Sequence, residues 1–191
     1  MMLCIDETEN NRMFMVVGLL VNSKSEIDMS FKRFKNRINE IGLKPKDKQV
    51  ICIEFKSFIL DRKFQRIKNM LLNELNKLNY VIFYSCYSKN KESMKQSKKE
   101  KIYINLLEKI VDNIDNEVDI VFDDFGRIDF EDKIITRLSK KYNVKSVTPE
   151  NSQKEAGLKY VDNICSVIRL YRSNEDRFKF YELIKDNTIQ I

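Results

Sequence analysis

Short apolar runs bounded by polar turns alternate along this chain with longer stretches in which apolar residues recur at helical spacing. Met2–Asp6 is an apolar run ending in acid, and Arg12–Val21 is a second with strand character. The polar Glu7–Asn11 between them suits a hairpin. From Ser25, the residues Ile27, Phe31, Phe34, Ile38 and Ile41 fall on one helical face, and Gly42 supplies a stop. Val50–Phe55 reads as a strand, Phe58–Leu78 as a helix, and the apolar and aromatic Tyr80–Tyr87 as a central strand covered on both faces. Ser88–Lys101, rich in lysine, is expected to be exposed or mobile. Tyr103–Ile114 reads as a helix, Val118–Asp123 as a strand, Phe130–Tyr142 as an amphipathic helix and Val144–Val147 as a short strand. Pro149–Ser152 reads as a loop, and Lys154–Tyr171 as the last helix, with an apolar stripe from Tyr160 to Tyr171. An initial hairpin followed by alternating units predicts an α/β fold, a mixed sheet with helices on its faces. No internal repeat or linker interrupts it, so residues 1–191 are expected to form one domain.

Composition narrows the chemistry. The chain has no histidine, which removes Ser-His-Asp and Cys-His mechanisms and His-ligated zinc. Carboxylates, lysines, hydroxyls or a metal must then carry any reaction. The four cysteines, Cys4, Cys52, Cys86 and Cys165, sit singly in apolar runs. That spacing suits reduced, buried thiols in a cytoplasmic protein rather than a zinc site. No opening signal peptide or membrane span is expected. A formal charge of +6 and a pI near 9.0 favour a polyanionic partner.

Ligands usually sit beyond the carboxyl ends of strands in open α/β sheets, and three expected strands lead into acids there. Asp6 closes the first, Glu54 lies near the end of Val50–Phe55, and Asp123, with Asp124 as its substitute, closes Val118–Asp123. Asp162 lies beside the apolar stripe of the last helix, where Asp is a poor interior residue. Brought together, such acids repel one another, and a divalent cation relieves that repulsion. Mg²⁺ or Mn²⁺ suits an all-oxygen site. The plainer alternatives are solvated turn residues, helix-surface ion pairs for Asp162 with Lys159 or Arg169, and an ion pair between Glu54 and Lys56.

The order of short motifs adds a resemblance. Ile5-Asp6-Glu7-Thr8 before a second strand, Glu54-Phe55-Lys56 before a helix, Ile120-Val121-Phe122-Asp123, and the closing stretch Ser152–Asp162 together resemble domain-of-unknown-function family 3800. The resemblance implies a ribonuclease H-like fold, with antiparallel strands first and parallel strands after. It also implies one metal site held by Asp6, Glu54, Asp123 and Asp162, with Glu7, Lys56 and Ser152 as neighbours. Glu9 stands where the family has glycine, Thr8 where it has serine, and Lys159, Tyr160 and Val161 depart from the closing motif.

The expected function is therefore a metal-dependent nuclease, or a related phosphoryl-transfer enzyme, hydrolysing DNA or RNA through a carboxylate-held Mg or Mn site. The alternative is a catalytically degenerate module of the same fold that binds nucleic acid or a protein. A third reading directs the same acids at a small phosphorylated substrate. Lys32–Arg37, Lys44–Lys48 and Lys89–Lys101 are candidate phosphate-binding segments, and Tyr87, Tyr103 and Phe125 candidate stacking faces. Solvated helix faces and core aromatics are their plainer readings.

Overall fold

β1 (Met2–Glu9) and β2 (Met13–Val21) pair antiparallel from Met2↔Val21 to Glu9↔Phe14, in a computed structural model that describes residues 1–53, 62–89, 94–177 and 179–191. The hairpin turn is tighter than the sequence predicts, because strand pairing continues through Glu7–Glu9. The Asn10 side-chain oxygen fixes that turn by accepting the backbone N–H groups of Arg12 and Met13. β3 (Tyr80–Ser88) pairs antiparallel with β2. β4 (Val118–Asp123) lies parallel to β1, and β5 (Val144–Glu150) parallel to β4. β6 (Thr188–Gln190), which the sequence pattern did not reveal, lies parallel to β3. The spatial order is β5-β4-β1-β2-β3-β6.

Helices cover both faces. α1 (Lys24–Glu40), α3 (Arg62–Leu75) and α6 (Ala156–Arg172) pack with Met2, Cys4, Val17 and Leu19 of the strands into one core. α4 (Gln96–Asp112) and α5 (Ile128–Leu138) pack with Leu3, Ile5, Phe14 and Phe122 into the other. The alternation of β1, with even residues toward α6 and odd residues toward α4, follows from the two-residue period of a strand.

Three expectations change. Val50–Ile53 belongs to α2 (Pro45–Ile53), not to a strand. Pro at the first helical position and Asp47 in the first turn favour the helix, and a short apolar run fits either state. Glu54 and Lys56 fall within 54–61 and lie outside the described residues. Gln96–Lys101 is largely exposed, as expected, but it forms the first turns of α4, so that helix begins earlier than the expected Tyr103. Pro149, expected in a loop, continues β5, as an outer strand allows.

α6 approaches β1 closely at Gly157. A Cβ there would lie 2.2 Å from Cys4 Sγ. Gly157→Ala gains helix propensity worth about 1 kcal/mol, but it overfills a close contact. We expect a net destabilisation of about 1–3 kcal/mol in urea unfolding. Cys4→Ala in the same chain should restore at least half of the loss, and two effects that merely add would show that the contact is not the cause.

Candidate active site

The sheet opens at the carboxyl end of β1. β4 pairs with β1 only as far as Ile5↔Phe122, whereas β1 continues to Glu9 against β2 alone. Asp6 and Asp123 are the next residues on these adjacent parallel strands. Asp6 follows Met2 and Cys4 on the α6 face, and Asp123 follows Val121 on that same face. Asp6 Oδ1 accepts the Glu7 N–H at 2.8 Å, and Asp123 Oδ1 accepts the Ser152 N–H at 3.2 Å. Backbone bonds of this kind fix a carboxylate's direction. They also give Ser152 a definite place beside the site, through its main chain.

α6 brings the third acid. Asp162, Cys165, Ser166 and Arg169 recur at helical spacing and line a cleft of about 310 Å³ with Glu7, Thr8, Glu9 and Lys99. The cleft thus joins the β1 end, the inner side of α6 and a lysine from α4. Lys99 is also ion-paired with Glu9 at 3.2 Å and lies over the Phe14 ring. Burial opposes ionisation of Glu9, but its hydrogen bonds to Lys99 and Lys89 prevail and hold its carboxyl below the usual range.

Two buried groups flank these acids. Lys68 of α3 is 1% exposed, donates to Ser166 Oγ, and lies over the Phe180 ring at 5.7 Å. Burial pushes its ammonium down to about 7, against the pull of the Asp162 carboxylate. On the other face, Tyr103 of α4 is buried, and burial raises its phenol well above the ordinary range. The charges of Glu7, Asp6 and Asp123, and the Cys165 thiol, add to that rise, so its hydroxyl lies within electrostatic reach of the strand-end acids.

The remaining candidates have plain local positions. Asp124 is exposed, and its carboxylate accepts the Gly126 N–H at 2.7 Å, a turn-forming bond. In the Lys32–Arg37 segment, Arg33 and Arg37 pair with the buried Glu74. Cys4 and Cys86 are free thiols. Sequence reasoning missed Lys68, and Arg169 as a cleft residue, whereas Lys99 falls in the Lys89–Lys101 segment already singled out. Only the i, i+3, i+4, i+7 spacing from Asp162 could have signalled Arg169.

Among the described residues, no three acidic or cysteine side chains form a metal-holding group. Asp6 and Asp123 share a strand-end position, Asp162 shares the cleft with Glu7, and Glu54 lies outside the described residues. The donor chemistry, all hard carboxylate oxygens, fits Mg²⁺ or Mn²⁺. No helix among the described residues is long and apolar enough to cross a membrane.

No protein-family model matches the chain, so membership of family 3800 is not shown, and no curated protein matches it. Solved structures do. The ribonuclease H2 of Pyrococcus horikoshii OT3 aligns over 95% of this chain and 77% of its own, at TM-score 0.51 and 12% identity. Ribonuclease HII of Archaeoglobus fulgidus, solved in complex with PCNA, aligns over 94% of this chain and 77% of its own, at TM-score 0.50 and 11% identity. The fold is ribonuclease H-like. In that ribonuclease H-like frame, the antiparallel β1–β2–β3 meander followed by parallel β4 and β5 is the mixed sheet the motif order implied. Identity this low carries the fold and not the activity.

Proposed function

We propose that this chain is a divalent-metal-dependent nuclease that hydrolyses phosphodiesters of DNA or RNA. One observation carries the reading: in a ribonuclease H-like fold, Asp6 of β1 and Asp123 at the end of β4 follow directly on the last β1–β4 pair, on the face where α6 presents Asp162 to an open cleft. Asp6, Asp123 and Asp162, joined by Glu54, would hold Mg²⁺ or Mn²⁺. Such an ion, when bound, activates water and stabilises the leaving oxygen of a phosphodiester. Glu7 borders the cleft directly, with Ser152 close to Asp123 and Asp124 one residue beyond. Lys56 follows Glu54 in sequence. Arg169 and Lys99 are the cations that would steady the phosphate. In this reading residues 1–191 act as one domain, and the thiols of Cys4 and Cys86 fit the reducing cytoplasm.

A second reading draws on Lys68. Lys68, within electrostatic reach of Asp162, supplies below about pH 7 positive charge that a metal would otherwise bring, and suits a module that binds nucleic acid or a protein without cutting it.

Incubation of the purified chain with labelled single-stranded, double-stranded and hybrid DNA and RNA separates the two. The nuclease reading expects cleavage of at least one substrate in Mg²⁺ or Mn²⁺ and none in EDTA. Intact substrates, together with a melting temperature indifferent to Mn²⁺, would favour the second.

A further inference from the structure

Behind the cleft, on the α4 side of the sheet, lies a second recess of about 100 Å³ that shares Glu7 and Lys99 with it. Part of its wall is aromatic, set beside the charged Glu7, Lys99, Glu100 and Arg127. Tyr103 meets Phe125 edge-on at 5.5 Å and Phe130 at 5.6 Å, and Phe125 meets Phe130 at 5.2 Å. Phe14 closes another side. At the mouth, Arg127 lies over the Phe130 ring at 5.6 Å and pairs with Glu100.

Tyr103, which lines the recess, is 2% exposed and carries a buried hydroxyl without a hydrogen-bond partner among the described residues. A hydroxyl taken from water without compensation bears its full desolvation penalty, so a group of this kind calls for an explanation. Burial and the nearby carboxylates keep the hydroxyl protonated. It is therefore available as a donor, and an aromatic wall prefers a flat ligand presented face or edge. Pockets for drug-sized ligands run to roughly 300–1,000 Å³. The recess is well below that, and fits one ring rather than a nucleotide.

We propose that the recess receives a single pyrimidine base from an unpaired stretch of nucleic acid, packed against Phe125, with the Tyr103 hydroxyl donating to a carbonyl oxygen of the base. The shared Lys99 then attracts the adjoining phosphate in the cleft. That placement of the phosphate rests on the nuclease reading, whereas base capture itself does not.

The test measures binding in EDTA, by fluorescence anisotropy, of the full chain to short oligothymidylate and oligouridylate. Oligoadenylate and an abasic strand of equal length serve as comparisons. Pyrimidine strands should bind about tenfold tighter than the abasic strand, in line with one stacked base, and tighter than oligoadenylate. Tyr103→Phe should lose about fivefold of that preference, while its melting temperature stays level or rises because a buried hydroxyl is gone. Phe125→Leu, at a half-buried position, should weaken the same preference. Equal affinity for abasic and pyrimidine strands would overturn the proposal. So would a Tyr103→Phe protein that melts higher yet binds unchanged, which would mean that the hydroxyl is only a packing cost. Base-dependent binding without cleavage in Mg²⁺ or Mn²⁺ would keep the recess and remove the nuclease, and base-indifferent cleavage would do the reverse.

Discussion

Asp6→Asn is expected to lower metal-dependent cleavage by roughly 10³-fold, beyond the 10- to 100-fold typical of residues that only support a ligand. The substitution keeps size and keeps a carbonyl oxygen able to accept the Glu7 N–H now bonded to Asp6. It removes the negative charge that β1 presents just past its last pair with β4. Because the main-chain bond survives, unfolding free energy should move by less than about 1 kcal/mol. A chemical-denaturation curve recorded beside the cleavage assay checks both halves. Full activity in a folded Asp6→Asn protein would refute the assignment of Asp6 to the site. A simultaneous collapse of stability would make its role structural.

The second large effect concerns Lys68. Its folded-state ammonium is depressed from 10.5 to about 7, mainly by burial. Below about pH 7 both folded and unfolded chains carry the proton, and the penalty of burying the charge is complete. Between about 7 and 10.5 the unfolded chain holds the proton that the folded chain has released, so stability rises with pH. The slope from this group is at most about 1.4 kcal/mol per pH unit. Lys68→Met should flatten that rise and stabilise the protein at neutral pH by about 1–4 kcal/mol, as when buried charge gives way to apolar packing. Urea unfolding from about pH 6 to pH 9 decides it. Wild-type and Lys68→Met curves that run parallel would mean the ammonium is held by compensating charge.

These two residues also mark how far the sequence could be read. Asp6 and Asp123 are legible because each directly extends an apolar run, and a strand followed by an acid puts that acid at the rim of a sheet. Their adjacency needs only β4 beside β1. Lys68 is not legible, since it interrupts the apolar stripe Phe64, Ile67, Leu71 exactly as a solvated helix residue would. Only the docking of α6 and Phe180 buries it. The helix Pro45–Ile53 was obscured by a four-residue apolar stretch that fits both periodicities. Its Pro45 and Asp47 were the better guides. Gly157 carried a signal in the closing motif, but its physical cause, contact with Cys4, required the packed structure. The Tyr103 recess was foreshadowed only as two separate aromatics, because α4 and the turn before α5 supply them from distant segments.

The outer strands of the sheet bear on how copies of this chain meet one another. β5 lies at one border with Pro149, which offers no N–H, and with exposed Lys145. β6 lies at the other and is three residues long. Neither border is a long, flat template for recruiting a neighbouring chain. β6 covers the Ile82–Tyr84 stretch of β3, so self-association through that part of its main chain would first require peeling β6 away.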